Sequence, residues 1–483
     1  MKKLSKLYKI NDNTLIKGIK INSKEIQDGD LFVCTKGVNA DRHDFVDDAI
    51  KNGAKAIVAS KDIGKKDVPV VYVEDTNKEL PNLSRKFYDY PEKKLKMIGV
   101  TGTDGKTTTT TIVQALIGKE DCSYIGTNGV SYKNIYHKTL NTTPDSDKLY
   151  MFLDEFIKEG CSYCAMEASS EAFYRGRLDG LEYDVSVFTN ISKEHLNVHK
   201  TLENYVECKS MLFKQTKKCG FCILNHDDPF YEIIKKSSNG KVLSYGKDKD
   251  STLLIKDYKL FKDHTDITFV YNKEEFNMKS PLLGEFNIYN LAAAILVCFS
   301  LNISLDKIRE NIKDINVDGR MQVVETNSNY SVIVDYAHTP NGIKNMLDFV
   351  NKLKFNRIIT VIGSAGGRDP YKRPLMGKVV LDNSSYVIFT SEDPRFENPK
   401  DIICDMLKES KDKNNYEIQV NRALAIKKAI DISSENDVVV ILGKGNENYQ
   451  VVKDEIIEFN DVDKAKIAIE QKNNKNKGEK NET

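Results

Sequence analysis

Residues 97–116, MIGVTGTDGKTTTTTIVQAL, carry the sharpest chemical signal in the chain: a strand, a glycine-rich turn and a helix in succession. Gly102 and Gly105 free the backbone so that N–H groups converge on phosphate oxygens, and the positive end of the following helix adds to the attraction. Lys106 supplies a point charge for the β- and γ-phosphates of a nucleotide, and Thr107 a hydroxyl for magnesium. Thr103, Asp104 and Thr108 complete the loop, and Val100 stands where the commonest Walker spacing has its first glycine. Kinases and GTPases use the same loop, so it names a ligand and leaves the reaction open.

The elements that must hold such a loop repeat along the chain. A chain of 483 residues is too long for one core, and its length suggests about three domains. Residues 1–95 mix short strands (LFVCT, AIVAS, VPVVYVE) with helical stretches, and residues 96–318 open on the loop strand and repeat strand–helix units (SYCAMEAS, VSVFTN, FCILN). Residues 319–470 repeat the pattern with YSVIVDYA, RIITVIGS, SYVIFTS and DVVVILGKG. Apolar β-branched runs alternating with helical periods predict an α/β fold of parallel sheets covered on both faces, with ligands at the carboxyl ends of the strands. The tail 471–483 is charged and has no apolar residue, so disorder is expected there.

Lysine plus arginine (72) nearly balances aspartate plus glutamate (71), which removes any charge-based case for a nucleic-acid or membrane-surface partner. The basic N-terminus never develops the apolar core of a signal peptide, and the longest apolar stretch, from Leu291, is short of a bilayer span. A cytoplasmic protein without membrane insertion is expected. Cys161 with Cys164, and Cys219 with Cys222, have the spacing of zinc ligands. Cys164 and Cys222 sit in strand-like runs, however, where a thiol reads as a small buried hydrophobe.

Downstream of TGTDGKTTT come NTTPD, MEASS, TNISKEHLNVH, YVECKSMLF, GEFNIYN, GRMQVV, VDYAHTP, KRPLMG, SEDPRFENP and GKGNENYQ. In order and spacing this series resembles the Mur ligases, most closely the MurE type, the UDP-N-acetylmuramoyl-tripeptide synthetases. The resemblance runs from about residue 20 to 460. It implies an N-terminal uridine-binding domain (1–95), a central ATP-binding domain (96–318) and a C-terminal Rossmann-like domain for the incoming amino acid (319–470). It implies a monomeric enzyme of peptidoglycan synthesis that uses ATP and Mg2+. That enzyme phosphorylates the terminal carboxylate of UDP-MurNAc-L-Ala-D-Glu, and the amine of a diamino acid then displaces the phosphate. A carboxylate is a poor acylating agent, and the mixed anhydride gives it a leaving group; the site supplies positioning and charge neutralisation.

The same resemblance assigns roles. Glu167 and His195 look like magnesium ligands beside Thr107, and Lys209 like the lysine that the family carbamylates to N6-carboxylysine, a further metal ligand. Asn287 and Asn290 resemble the adenine-contacting segment; Arg320, Asp335 and His338 resemble the C-terminal domain's contribution to ATP. Ser23 matches the uridine segment, and Thr142, Thr143, Ser169 and Arg177 match the grip on the muramoyl dipeptide. Departures stand at Asn22, Asp104, Glu171 and Asn446.

For the added amino acid, Glu392, Asp393, Pro394 and Arg395 occupy the motif that reads Asp-Asn-Pro-Arg in relatives adding meso-diaminopimelate. Arg395 and Arg368 match arginines that grip a distal carboxylate, which lysine lacks, and Gly443 and Glu447 match positions around the distal ammonium and carboxylate. Meso-diaminopimelate is therefore favoured over L-lysine. Rival classes are a folylpolyglutamate-type ligase, which lacks the N-terminal block, a non-catalytic paralogue, and a simple ATPase.

Overall fold

The computed structural model describes residues 1–37, 40–139, 141–194, 196–315, 317–410 and 412–481, without the side chains of 196–197, 314 and 476–481. The chain forms two compact units: the first holds residues 1–194, 198–252 and 293–308, the second residues 253–292 and those from 309 onward.

In the first unit, strands Gly18–Lys20, Asp30–Val33, Ala56–Ala59 and Val70–Tyr72 pair in chain order, all parallel. Side chains alternate between faces along each strand. Leu31, Val33, Ala56 and Val58 therefore pack with Leu80, Leu83 and Phe87 of the helix Thr76–Phe87, while Phe32, Cys34, Ile57 and Ala59 pack with Val46 and Ala49 on the other face.

A larger sheet follows. The strand Lys96–Thr101 lies between Tyr163–Glu167 and Tyr183–Phe188, with Cys122–Gly126 outside the first and Thr216–Asn225 and Lys241–Gly246 outside the second, all parallel. Both faces are covered, so these strands are almost wholly apolar. Cys164 and Cys222 lie buried on two of them, and burial raises the Cys164 thiol above its ordinary value. The apolar run from Leu291 forms the buried part of the helix Glu285–Ser300. Among the described residues no helix is long and apolar enough to cross a membrane.

The second unit is built on a six-stranded sheet. Gln322–Val324 pairs antiparallel with Ser331–Asp335, and Val438–Leu442, Ile358–Ile362, Tyr386–Phe389 and Tyr416–Ile418 continue in parallel. The order departs from chain order at Val438–Leu442, which inserts between Ser331–Asp335 and Ile358–Ile362, a switch point of the kind where α/β sheets open a crevice. The unit also holds an antiparallel meander, Leu253–Leu260, Thr265–Tyr271 and Glu274–Ser280, which strand–helix alternation does not anticipate. Its strands are half-polar and carry a register shift between Ile255 and Asp257.

The tail corrects the expectation of disorder: residues 471–481 continue the helix Asp461–Asn481. Lys472 Nζ caps the helix Arg422–Asp431, donating to Ile430 O and Ser433 O at 2.6 Å, and Asn473 Nδ2 donates to Thr326 O at 2.9 Å. Polar anchors therefore do what apolar residues were missing for. Residues 482 and 483 lie outside the described residues.

Asp147, in the first turn of the helix Ser146–Lys158, is buried with Oδ1 lacking a hydrogen-bond partner among the described residues. Burial first, then the Asp145 charge, lifts its carboxyl to about 6. A raised carboxyl stabilises the fold below the unfolded pKa near 4, and the contribution is lost as pH climbs through about 6. Asp147→Asn is expected to gain about 1–2 kcal/mol on wild type between pH 4.5 and 8 in urea unfolding; a constant difference would remove the titration.

Candidate active site

Three strand ends converge on the glycine loop, with Glu167 level with Val100 and Phe188 level with Thr101. A Cβ on Gly102 would overlap Thr189 Oγ1, so glycine there is a condition of the approach. Gly105 takes φ +82° and starts the helix Lys106–Ile117, whose first turn buries Thr107 and Thr108. Thr189 and Asn190 stitch the loop from the next strand. Thr189 Oγ1 donates to Asp104 O at 2.7 Å, Asn190 Oδ1 accepts from Asp104 N at 3.0 Å, and Asn190 O accepts from Thr103 N at 2.8 Å.

Lys106 Nζ folds onto its own loop, donating to Gly102 O at 3.0 Å and Thr103 O at 2.8 Å. Lys209, from the helix Leu202–Lys214, reaches the same Gly102 O at 2.6 Å and lies 4.3 Å from the centre of the Tyr205 ring. Its side chain is fully buried. Burial, followed by the neighbouring Lys106 charge, pushes its ammonium well below the ordinary lysine value.

Glu167 is fully buried, and Oε1 accepts from Tyr124 O–H and Thr127 N–H, both at 2.8 Å, while Oε2 accepts from Thr127 Oγ1 at 3.3 Å. Thr107 and Glu167 are hard oxygen donors of the type that suits Mg2+. His195, the third expected ligand, lies outside the described residues. Lys209 fits such a site only as a carbamate, since an ammonium repels a cation.

The residues expected to grip the muramoyl dipeptide form one network in the same unit. Thr143 Oγ1 donates to Glu167 O at 2.8 Å and accepts from Ser169 N at 3.1 Å; Arg177 Nη1 donates to Thr143 O at 3.2 Å and pairs with Asp145 at 2.7 Å. Thr142 Oγ1 lies 3.1 Å from Thr127 Oγ1. Ser23 sits on a short turn capped by Asn22, and Glu25 of that turn pairs with Lys148 at 2.9 Å, one helix turn beyond the threonines.

In the second unit, Asp335, Leu442, Ile362 and Phe389 end neighbouring strands. Asp335 accepts from Met321 N at 2.7 Å and Ala337 N at 2.8 Å, and burial raises its carboxyl against the pull of Arg320. Arg320 stacks over the Tyr336 ring at 4.2 Å, and His338 Nδ1 donates to Tyr336 O at 3.0 Å. Asn290 Nδ2 donates to Asn287 Oδ1 at 3.0 Å, so the two amides orient each other.

Glu392, Asp393 and Pro394 are buried, Arg395 is half-buried at φ +52°, and Arg368 is exposed on the adjoining loop. Burial raises the Glu392 carboxyl against Lys444 and Arg422, and its Oε2 has no hydrogen-bond partner among the described residues. Gly443, at φ +113°, passes this oxygen where a Cβ would come within 2.8 Å. Glu447 accepts from Lys444 Nζ at 2.7 Å and Tyr336 O–H at 3.3 Å.

Sequence reasoning gave no role to Thr189, Asn190, Tyr205, Arg373, Glu397 or Lys444, although each stands inside a motif quoted for the resemblance. Tyr124 and Thr127 lie outside every motif; only a glycine after a strand, Gly126, marks the place.

Known proteins resemble this chain along nearly its whole length. The family described as Mur ligase family, catalytic domain, matches residues 15–94; Mur ligase middle domain matches 100–298; and Mur ligase, glutamate ligase domain, matches 319–445. The UDP-N-acetylmuramoyl-L-alanyl-D-glutamate–2,6-diaminopimelate ligase of Clostridium perfringens is 38% identical over 96% of this chain and 97% of its own length. The enzyme of that name from Oceanobacillus iheyensis is 37% identical, with the same coverage. A solved structure of a ligase of this name superposes with TM-score 0.67 at 29% identity, covering 98% of this chain and 99% of that one. MurF from Thermotoga maritima, solved with ADP, shares the fold at TM-score 0.68 and 20% identity, covering 96% and 100%.

Gly102→Ala is expected to weaken nucleotide binding by about tenfold to a hundredfold, because overpacking of about 1–3 kcal/mol would fall on the loop itself. Calorimetric titration with ATP reads this out alongside an unchanged far-ultraviolet dichroism spectrum. Unaltered affinity would show that the loop binds without the Thr189 approach.

Proposed function

We propose that this chain, which belongs to the Mur ligase family, joins meso-2,6-diaminopimelate to UDP-MurNAc-L-Ala-D-Glu at the expense of ATP. The observation that carries the chemistry is the convergence of the glycine loop, the buried Glu167 carboxylate and the buried Lys209 amine at adjacent strand ends. The substrate class is supported by relatives named for 2,6-diaminopimelate along nearly their whole length, which also weighs against L-lysine.

In this reading the loop N–H groups and Lys106 hold the phosphates while a substrate carboxylate oxygen attacks the γ-phosphorus, and the bond to ADP breaks. The diamino acid's amine then attacks the acyl carbon, phosphate leaves, and the nitrogen gives up a proton. Thr107, Glu167, His195 and carbamylated Lys209 would hold Mg2+, which supplies charge neutralisation for phosphate oxygens. Ser23, Thr142, Thr143, Ser169 and Arg177 serve the nucleotide-sugar peptide; Asn287, Asn290, Arg320, Asp335 and His338 serve ATP. Arg368, Glu392 through Arg395, Gly443 and Glu447 serve the diamino acid. The proposed domains 1–95, 96–318 and 319–470 share these tasks, with Ser23 in the first and the other peptide-holding residues in the second, and the ATP-holding residues divided between the second and third.

The Lys209 environment supports carbamylation. A free amine attacks CO2, an N–C bond forms, one C–O double bond opens to a carboxylate, and one proton leaves the nitrogen, turning a neutral amine into an anion. Protein equilibrated with 13C-bicarbonate is expected to show a carbamate carbon signal that Lys209→Ala lacks; equal spectra would overturn the modification.

Phosphate release from ATP is expected to depend on UDP-MurNAc-L-Ala-D-Glu together with meso-diaminopimelate, with L-lysine and L-ornithine inert. Release with lysine instead would overturn the substrate assignment. Arg395→Ala should raise the KM for diaminopimelate by about a hundredfold, the loss of a charge-assisted pair of about 2–3 kcal/mol.

A further inference from the structure

Lys444 is fully buried, and its ammonium has two carboxylate acceptors: Asp393 Oδ1 at 2.8 Å and Glu447 Oε2 at 2.7 Å. The Tyr449 ring covers it at 5.4 Å. Burial by itself would push this lysine down, yet Glu447 and Asp393 carry it above its ordinary value, so the charge is kept. A side chain so enclosed touches no substrate.

Asp393 gathers three segments. Its Oδ1 also accepts from Val451 N at 3.1 Å, in the hairpin strand Tyr449–Val452, and its carbonyl accepts from Gly366 N at 2.8 Å, in the loop that bears Arg368. That loop comes so close that a Cβ on Gly366 would overlap Pro394 O. Two residues on, Arg395 N donates to Val451 O at 3.1 Å and Arg395 O accepts from Lys453 N at 2.8 Å, which pins a left-handed backbone that favours glycine. A second tie reinforces the first. Glu397 accepts from Gly367 N at 2.6 Å and from both ends of the Arg373 guanidinium, at 2.8 and 2.9 Å.

We infer that Lys444 is a positioning residue for amino-acid selection: through Asp393 it holds Arg395 and the Arg368 loop in register with the hairpin. The inference rests on the ligase reading given above. Without the ammonium, the buried Asp393 and the half-buried Glu447 become two carboxylates with no cation between them. Asp393 then leaves Val451, and the turn carrying Arg395 loses its anchor.

Steady-state kinetics test this. Lys444→Met is expected to raise the KM for meso-diaminopimelate by about thirtyfold or more, as breaking a buried pair by removing one partner does. The KM values for ATP and the nucleotide-sugar peptide should stay within about twofold of wild type. Asp393→Asn in the Lys444→Met background removes one of the opposed charges and should recover at least about fivefold of the loss, a coupling that distant sites do not show. Asp393→Ala leaves Lys444 paired with Glu447 and serves if Lys444→Met does not fold; it should raise the same single KM. Equal rises in all three KM values, a fall in kcat alone, or no recovery in the double variant would overturn the inference. Wild-type enzyme inert with diaminopimelate would instead overturn the ligase reading.

Discussion

Two lysine side chains share one carbonyl oxygen, and the first unit's chemistry depends on that crowding. Lys106 and Lys209 both donate to Gly102 O. Two ammonium groups at one buried acceptor repel each other, and the one with no access to water yields first. Lys209 is the more enclosed of the two, and burial first, then the Lys106 charge, lowers its ammonium below the ordinary lysine value. The arrangement exists only because Gly102 has no side chain to keep Thr189 and Asn190 away. A strand-end glycine thereby ties the glycine loop to a buried lysine more than a hundred positions later in the sequence.

The second unit solves a related problem with opposite charges. Its central strands are buried at every position, and charged groups crowd their carboxyl ends in a low-dielectric setting. Arg422 and Asp461 are both wholly buried and paired at 2.6 Å, with Arg422 also donating to Leu442 O at 2.9 Å. Lys444 sits between Asp393 and Glu447 in the same manner. Such pairs contribute little net stability but fix orientation, because each partner is costly to leave alone. Glu392 is the member of the group whose Oε2 is buried without a hydrogen-bond partner among the described residues.

The departures from family pattern have local explanations. Asn22 accepts from Lys24 N at 3.1 Å, the capping task an aspartate would do. Asp104 is held through its backbone by Thr189 and Asn190, so the loop shape does not rely on its side chain. Glu171 pairs with Arg175 at 2.8 Å along one helix. Asn446 meets Gly319 through its backbone nitrogen, where side-chain identity matters least. Of the four, Asp104 acts on Lys209 through its charge, which opposes the lowering of the ammonium by burial.

Continuous apolar β-branched runs alternating with helical periods were enough to read the parallel α/β architecture, and a glycine-rich turn between strand and helix was legible beside them, because local geometry dictates both. The motif series was enough to name the family, since eleven spaced segments carry more information than any one of them. The sequence did not reveal the meander at 253–280, whose half-polar strands lack an apolar signature, nor the docked tail, held by Lys472 and Asn473 rather than by apolar residues. It could list Arg395 but not its left-handed backbone, and it passed over Lys444 inside a quoted motif. What a residue's neighbours do to its charge depends on distances between segments far apart in the chain. Lys209 against Lys106, and Lys444 between Asp393 and Glu447, were therefore decided only when the sheets brought their ends together.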